Sequence, residues 1–122
     1  MSTLLSLVLI FLGGGLGSIS RFGVGKLSHA FYDGKFPLGT LITNSLACLI
    51  LGATLFIFKD KLTETDWLKY FVLIGFCGGF STFSAFGLET VKLFQDGLIG
   101  FGIANICVSL ILGFGILFVL VK

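Results

Sequence analysis

Four apolar runs dominate the sequence, residues 4–24, 37–58, 68–91 and 98–121. Each is near the ~20 residues that the hydrocarbon core of a bilayer requires of a helix. Three short polar links, KLSHAFYDGK, KDKLTETD and KLFQDG, separate them and carry nearly all of the charge. The pattern predicts an all-α membrane protein in which residues 1–122 make one four-helix transmembrane domain with no extramembrane domain. Pro37, the only proline, follows Phe36 and suits the first turn of the second helix. Thr65 or Asp66 is placed to cap the third, with Trp67 and Tyr70 at the headgroup level where amphipathic rings settle. Residues 1–17 have no basic residue ahead of their apolar run, and three more spans follow. They are read as a retained helix and not as a secretory signal.

The third run is interrupted. Residues 75–86, GFCGGFSTFSAF, hold three glycines, three hydroxyl-bearing residues and four phenylalanines. Glycine weakens a helix, and within lipid a non-helical backbone survives only when buried in protein or lining a watery cavity. The third helix is therefore expected to be broken near its middle, where membrane proteins build ion and substrate sites. Gly13 and Gly17 form a GxxxG pair in the first span, and Gly75 and Gly79 another in the third. Such pairs let helix backbones approach closely.

Composition agrees with this picture. The chain is 56% hydrophobic and only 11% charged, with a mean hydropathy of +1.11, and a soluble domain so apolar would have no polar surface to offer water. A net charge of +2 is too small and too scattered for a nucleic-acid partner. Cys48, Cys77 and Cys107 all fall in apolar segments without metal-ligand spacing and read as buried small residues. No Ser–His–acid set, Cys–His pair, HExxH or phosphate loop is present, and the single histidine, His29, lies in a link, so enzymatic chemistry has nothing to stand on. Four spans put Lys59, Lys61, Lys69 and Lys122 on one side and Arg21, Lys26, Lys35 and Lys92 on the other. Four against four gives the positive-inside rule nothing to choose. Two readings stand, a weakly biased protein oriented by other factors, or dual topology with copies pairing as an antiparallel homodimer.

Ionisable residues inside spans are functional candidates by default. Arg21, near the end of the first run, either snorkels to the headgroups or faces a vestibule. Glu89, the only acid within an apolar run, is either a proton or ion site or a carboxylate at the interface. Asn44 brings an amide to membrane depth, as packing glue or as a donor to a ligand. Asn105 and Ser109, one turn apart, place polar groups on one face of the last span. Phe83 and Phe86 share a helical face, with Phe76 and Phe80 extending roughly the same stripe. A phenyl ring has a negative face and a positive edge. Edges interleaved with Thr82 and Ser84 can receive a small, hard anion without a fixed charge that would hold it too tightly to leave. The same break would free backbone oxygens, notably of Gly78 and Ser81, for a hard cation such as Na⁺.

Three motifs in order, GGGLGSISRF (residues 13–22), FPLGTLITNSLA (36–47) and GFCGGFSTFSAF followed by Gly87, Leu88 and Glu89, make the chain resemble the small bacterial fluoride channels, the Fluc or CrcB family. The resemblance covers the whole chain. It implies a dual-topology antiparallel homodimer in the bacterial cytoplasmic (inner) membrane, with two pores and passive, selective F⁻ conduction. It also implies that the edges of Phe83 and Phe86 face the ions and that Asn44 contacts fluoride or orients the pair. Thr40, Ser84 and Ser109 would belong to a polar track. The backbone oxygens of Gly78 and Ser81 from both subunits would hold a structural Na⁺ that is not transported. Arg21 and Glu89 match charged family positions. Three departures accompany the likeness. Ser81 stands where threonine is more common, Ala85 where a second threonine would add a hydroxyl, and Asn105 where tyrosine is frequent.

The expected function is a passive leak that lets F⁻ leave the cytoplasm, with fluoride, membrane lipid and a second copy as partners. Its rivals are a small proton-coupled multidrug antiporter, which needs a carboxylate deep in the bilayer, and a non-transporting accessory subunit held by its GxxxG faces.

Overall fold

The computed structural model describes residues 2–59 and 67–121. Helix α1 spans Thr3–Phe31, with Ser2 as its N-cap accepting from Leu5 N, and α2 spans Leu38–Phe58. The third crossing is made of two pieces. Helix α3 covers residues 68–80, a π-helix over Leu68–Cys77 continued as a short α-helical stretch, Gly78–Phe80, and α4 covers Phe83–Gln95. Helix α5 spans Ile99–Leu120. Four helical segments are long and apolar enough to cross a membrane, and among the described residues there is no strand.

The structure departs from the hydropathy pattern in several places. Helix α1 runs on past residue 24 to Phe31, absorbing more than half of the first polar link. Its 29 residues measure roughly 43 Å at 1.5 Å each, more than the ~30 Å of hydrocarbon, an excess that tilt or ends outside the lipid must take up. Nothing in KLSHAF opposes a helix; the chain leaves it at Tyr32, which is extended, and bends over residues 34–36. Pro37 itself is the residue before α2, not within its first turn. The π-helical winding of α3 had no sequence signal. The proposed caps Thr65 and Asp66, and the charges Lys61 and Lys122, lie outside the described residues. Trp67 is exposed, and the Lys69 ammonium lies 5.6 Å from the centre of the Tyr70 ring.

Packing rests on small residues. Helix α1 lies mainly along α3, and α2 mainly along α5. The two GxxxG pairs turn out to be each other's partners. A methyl group on Gly13 would run into Phe71 O, one on Gly17 into Phe76 O, and one on Gly79 into Gly14 O, while one on Gly75 would sit 3.1 Å from Gly13 Cα. Backbones touch where lipid supplies no hydrophobic drive between helices, so van der Waals contact must do the work. Across the other contacts Gly52 faces Leu117 and Leu120, Gly113 faces Cys48 Sγ, and Gly102 faces the Phe94 ring. Large apolar side chains such as Phe11, Ile111 and Phe118 point outward, an arrangement that suits lipid as the solvent. Of the cysteines, Cys77 is buried as expected, whereas Cys48 is only half-buried and Cys107 is exposed on α5.

Candidate functional site

Between α3 and α4 two residues leave the helix. Ser81 (φ −86°, ψ 157°) and Thr82 (φ −152°, ψ 117°) are both extended, in the middle of the 28-residue crossing Leu68–Gln95. The angles are ordinary for any residue, so no glycine is needed at the turn itself; Gly75 and Gly79 serve close approach to α1, whereas Gly78 faces open space. Buried backbone must find partners, and here side chains supply them. Asn44 Oδ1 accepts from Thr82 N at 2.8 Å, and Asn44 Nδ2 donates to Thr82 O at 3.2 Å. Thr82 Oγ1 caps α4 by accepting from Ala85 N at 3.1 Å and lies 3.2 Å from Ser84 Oγ. Ser81 turns back, its N and Oγ both donating to Cys77 O at 3.0 and 2.7 Å. Arg21 Nε donates to Gly79 O at 3.2 Å. The amides of Thr82 and Ala85 are thus diverted to side chains, leaving Gly78 O and Ser81 O without the i+4 donors a continuous helix would give them. Gly78 is exposed, so its oxygen can be approached from outside the subunit.

Immediately after the break stand Phe83 and Phe86, ring centres 6.1 Å apart and planes tilted by 48°. Phe83 is 84% exposed. Phe76 and Phe80 do not continue this stripe. They stack on each other at 5.4 Å and 18°, and Phe80 is 4% exposed, because the extended residues between them and α4 reset the helical phase.

A cavity of about 700 Å³ is bounded by the second half of α1, the loop after it, the start of α2, and α4 from Ala85 onward. All four basic residues assigned to that side, Arg21, Lys26, Lys35 and Lys92, line it, against the carboxylates Glu89 and Asp96. Positive charge in excess draws anions and raises their local concentration. Arg21 does not snorkel; it reaches inward to Gly79 O and borders this cavity. Glu89 is not at a helix end either, since α4 continues to Gln95, and its Oε1 accepts from Thr40 Oγ1 at 2.5 Å.

Thr40 thereby joins the cavity, and Ser84 joins the break, but Ser109 belongs to a separate network on the α5 side. Asn105 Nδ2 donates to Thr90 Oγ1 at 2.9 Å, Thr90 Oγ1 donates to Phe86 O at 2.7 Å, and Ser109 Oγ lies 3.4 Å from Asn105 Oδ1. Asn105, which stands where the family more often has tyrosine, is 1% exposed and faces α4. Thr90 carried no sequence flag; its place one turn after Phe86 on the same face was the available signal. Among the described residues no three His, Cys, Asp or Glu side chains come together.

The family model described as CrcB-like protein, Camphor Resistance (CrcB), matches residues 8–121. The chain belongs to the CrcB family. Among curated relatives, a protein of Serratia proteamaculans is 41% identical over 107 residues, covering 86% of this chain and 82% of the relative. One from Dehalococcoides mccartyi is 35% identical over 113 residues, covering 93% and 87%. One from Pyrococcus horikoshii is 39% identical over 106 residues, covering 86% and 84%. Each is named fluoride-specific ion channel FluC, the name of a channel and not of an enzyme.

Proposed function

We propose that this chain is a fluoride-selective channel, an antiparallel dual-topology homodimer that lets F⁻ pass passively out of the cytoplasm across the bacterial inner membrane through two pores. Residues 1–122 act as a single four-helix transmembrane domain. The observation that carries this reading is the break, with Phe83 exposed and Phe86 half-buried directly beyond it and Asn44 pairing with both backbone groups of Thr82, in a chain whose relatives are named fluoride channels. Fluoride gathers in the basic cavity and moves toward the phenyl edges. Ring edges hold it weakly enough to release, which conduction requires. Ser84, Thr40 and Ser109 supply hydroxyls along the way, Asn44 contacts the ion or holds the ring pair, and Arg21 and Glu89 shape the approach. No coupling is needed. HF enters an acidified cell uncharged and dissociates, and a negative interior then drives the anion out with about 2.3 kcal/mol per charge per 100 mV.

A Na⁺ ion suits the unpartnered oxygens of Gly78 and Ser81, hard donors on an exposed edge that a second copy would double. Bound there it would supply charge that ties two breaks together. It is structural and is not carried.

The test is F⁻ efflux from liposomes holding the purified protein in Na⁺, read by a fluoride electrode, with Cl⁻-loaded vesicles alongside. Fluoride released on adding a K⁺ ionophore, with chloride retained, is the expected result. Silence for both ions in folded dimer overturns the channel reading in favour of an accessory subunit. Transport that follows a proton gradient and vanishes in Glu89→Gln would replace it with the antiporter.

A further inference from the structure

Resting on the fluoride-channel reading, we propose that Thr90 and Asn105 are positioning residues that set the orientation of the Phe83–Phe86 pair. Thr90 lies four residues beyond Phe86 and seven beyond Phe83, so all three share one face of α4. Its hydroxyl is the middle of a relay, accepting from Asn105 Nδ2 at 2.9 Å and donating to Phe86 O at 2.7 Å. A hydroxyl that donates while it accepts is polarised, and each bond strengthens the other. A threonine bonded back to the carbonyl four residues earlier also bends its helix slightly. The relay therefore ties the direction of α4, at the turn that carries Phe86, to a fixed point on α5.

The neighbouring contacts make that point rigid. One turn further along, the Phe94 ring lies against Gly102, where an added methyl group would meet ring atoms within 3 Å. Pairing Phe94 with Gly102 and Thr90 with Asn105 runs the two helices antiparallel in one register, which brings Ser109 level with Phe86. Thr90 is 7% and Asn105 1% exposed. Both side chains are enclosed within the subunit, so their role is to position and not to touch the ion. Apolar surfaces in a membrane slide and rotate at small cost, whereas a hydrogen bond between helices fixes rotation. A helix turned by a fraction of a residue would re-aim both phenyl edges.

Four variants in the F⁻ efflux assay, scored per folded dimer, test this. Thr90→Val keeps shape and removes the hydroxyl; Asn105→Leu removes the amide; Thr90→Ser restores the hydroxyl without the methyl group. Flux should fall at least about tenfold in Thr90→Val and in Asn105→Leu, as expected when a working geometry loses its supporting contacts. Thr90→Ser should stay within about twofold, and the double variant Thr90→Val/Asn105→Leu should be no worse than either single, because one relay is broken in each. Wild-type flux per folded dimer in Thr90→Val, with stability alone reduced, overturns the inference and makes the pair simple packing. Failure of both substitutions to fold overturns it too, since the relay is then a folding requirement. A wild-type protein that passes no fluoride fails at the preceding step and takes this inference with it, a result distinguishable before any variant is made.

Discussion

The two halves of the third crossing are held by opposite means. Helix α3 is pressed onto α1 through Gly75 and Gly79 against Gly13, Gly14 and Gly17, backbone on backbone. Helix α4 is held by side chains with polar tips, Asn44 on Thr82, Thr40 on Glu89 and Asn105 on Thr90. Close backbone packing tolerates no added volume but specifies little about rotation. Hydrogen bonds inside a membrane fix rotation and direction. A scaffold half can thus stay rigid while the other half presents Phe83 and Phe86 at a defined angle.

Adding volume to the first half should have the largest effect. Gly79→Ala or Gly17→Ala drives a methyl group into a backbone oxygen, and overpacking of this kind costs up to about 3 kcal/mol or more. Both should lose folded protein on size-exclusion chromatography and by thermal melting. Next comes the polar clasp on the break. Asn44→Ala removes the side-chain partner of Thr82 N and Thr82 O, both part-buried, at about 1 kcal/mol for each hydrogen bond lost. It should lower the melting temperature and abolish fluoride flux together. Phe83→Met and Phe86→Met separate function from fold. Volume is nearly kept, so stability should change by less than about 1.5 kcal/mol, while flux falls steeply; unchanged flux would return these rings to a packing role. The smallest effect belongs to Gly15→Ala, where an added methyl meets nothing within 4 Å. Melting should shift by no more than about 1 kcal/mol, and upward if at all, because alanine is the better helix former. If Gly15 and Gly17 respond alike, the contrast between the halves fails.

The sequence already carried the coarse architecture, and the reasons are physical. Bilayer thickness makes apolar run length decisive, so four spans were legible, and glycine with hydroxyls at residues 75–86 announced an interruption. Both GxxxG motifs were visible, but not that they pair with each other, because a motif marks a face and not its partner. The polar stretch KLSHAF was assigned to a link since hydropathy detects where lipid ends and not where helix ends. Arg21 and Glu89 were misplaced for the same reason, each lying further from its helix terminus than the apolar runs implied. The stripe from Phe76 to Phe86 assumed one continuous helix; two extended residues at Ser81 and Thr82 sever it. Thr90 escaped notice because one threonine in an apolar helix has no pattern, and Asn105 acquires meaning only once α5 lies against α4.

Selective conduction is most directly tested by the reversal potential of the reconstituted protein in a planar bilayer, with a fluoride gradient imposed against symmetrical chloride and Na⁺ on both sides. A current that reverses at the fluoride equilibrium potential, and vanishes in Phe86→Met protein that remains folded, is the predicted result. Reversal at the chloride potential, or a current indifferent to the loss of Phe86, would contradict it.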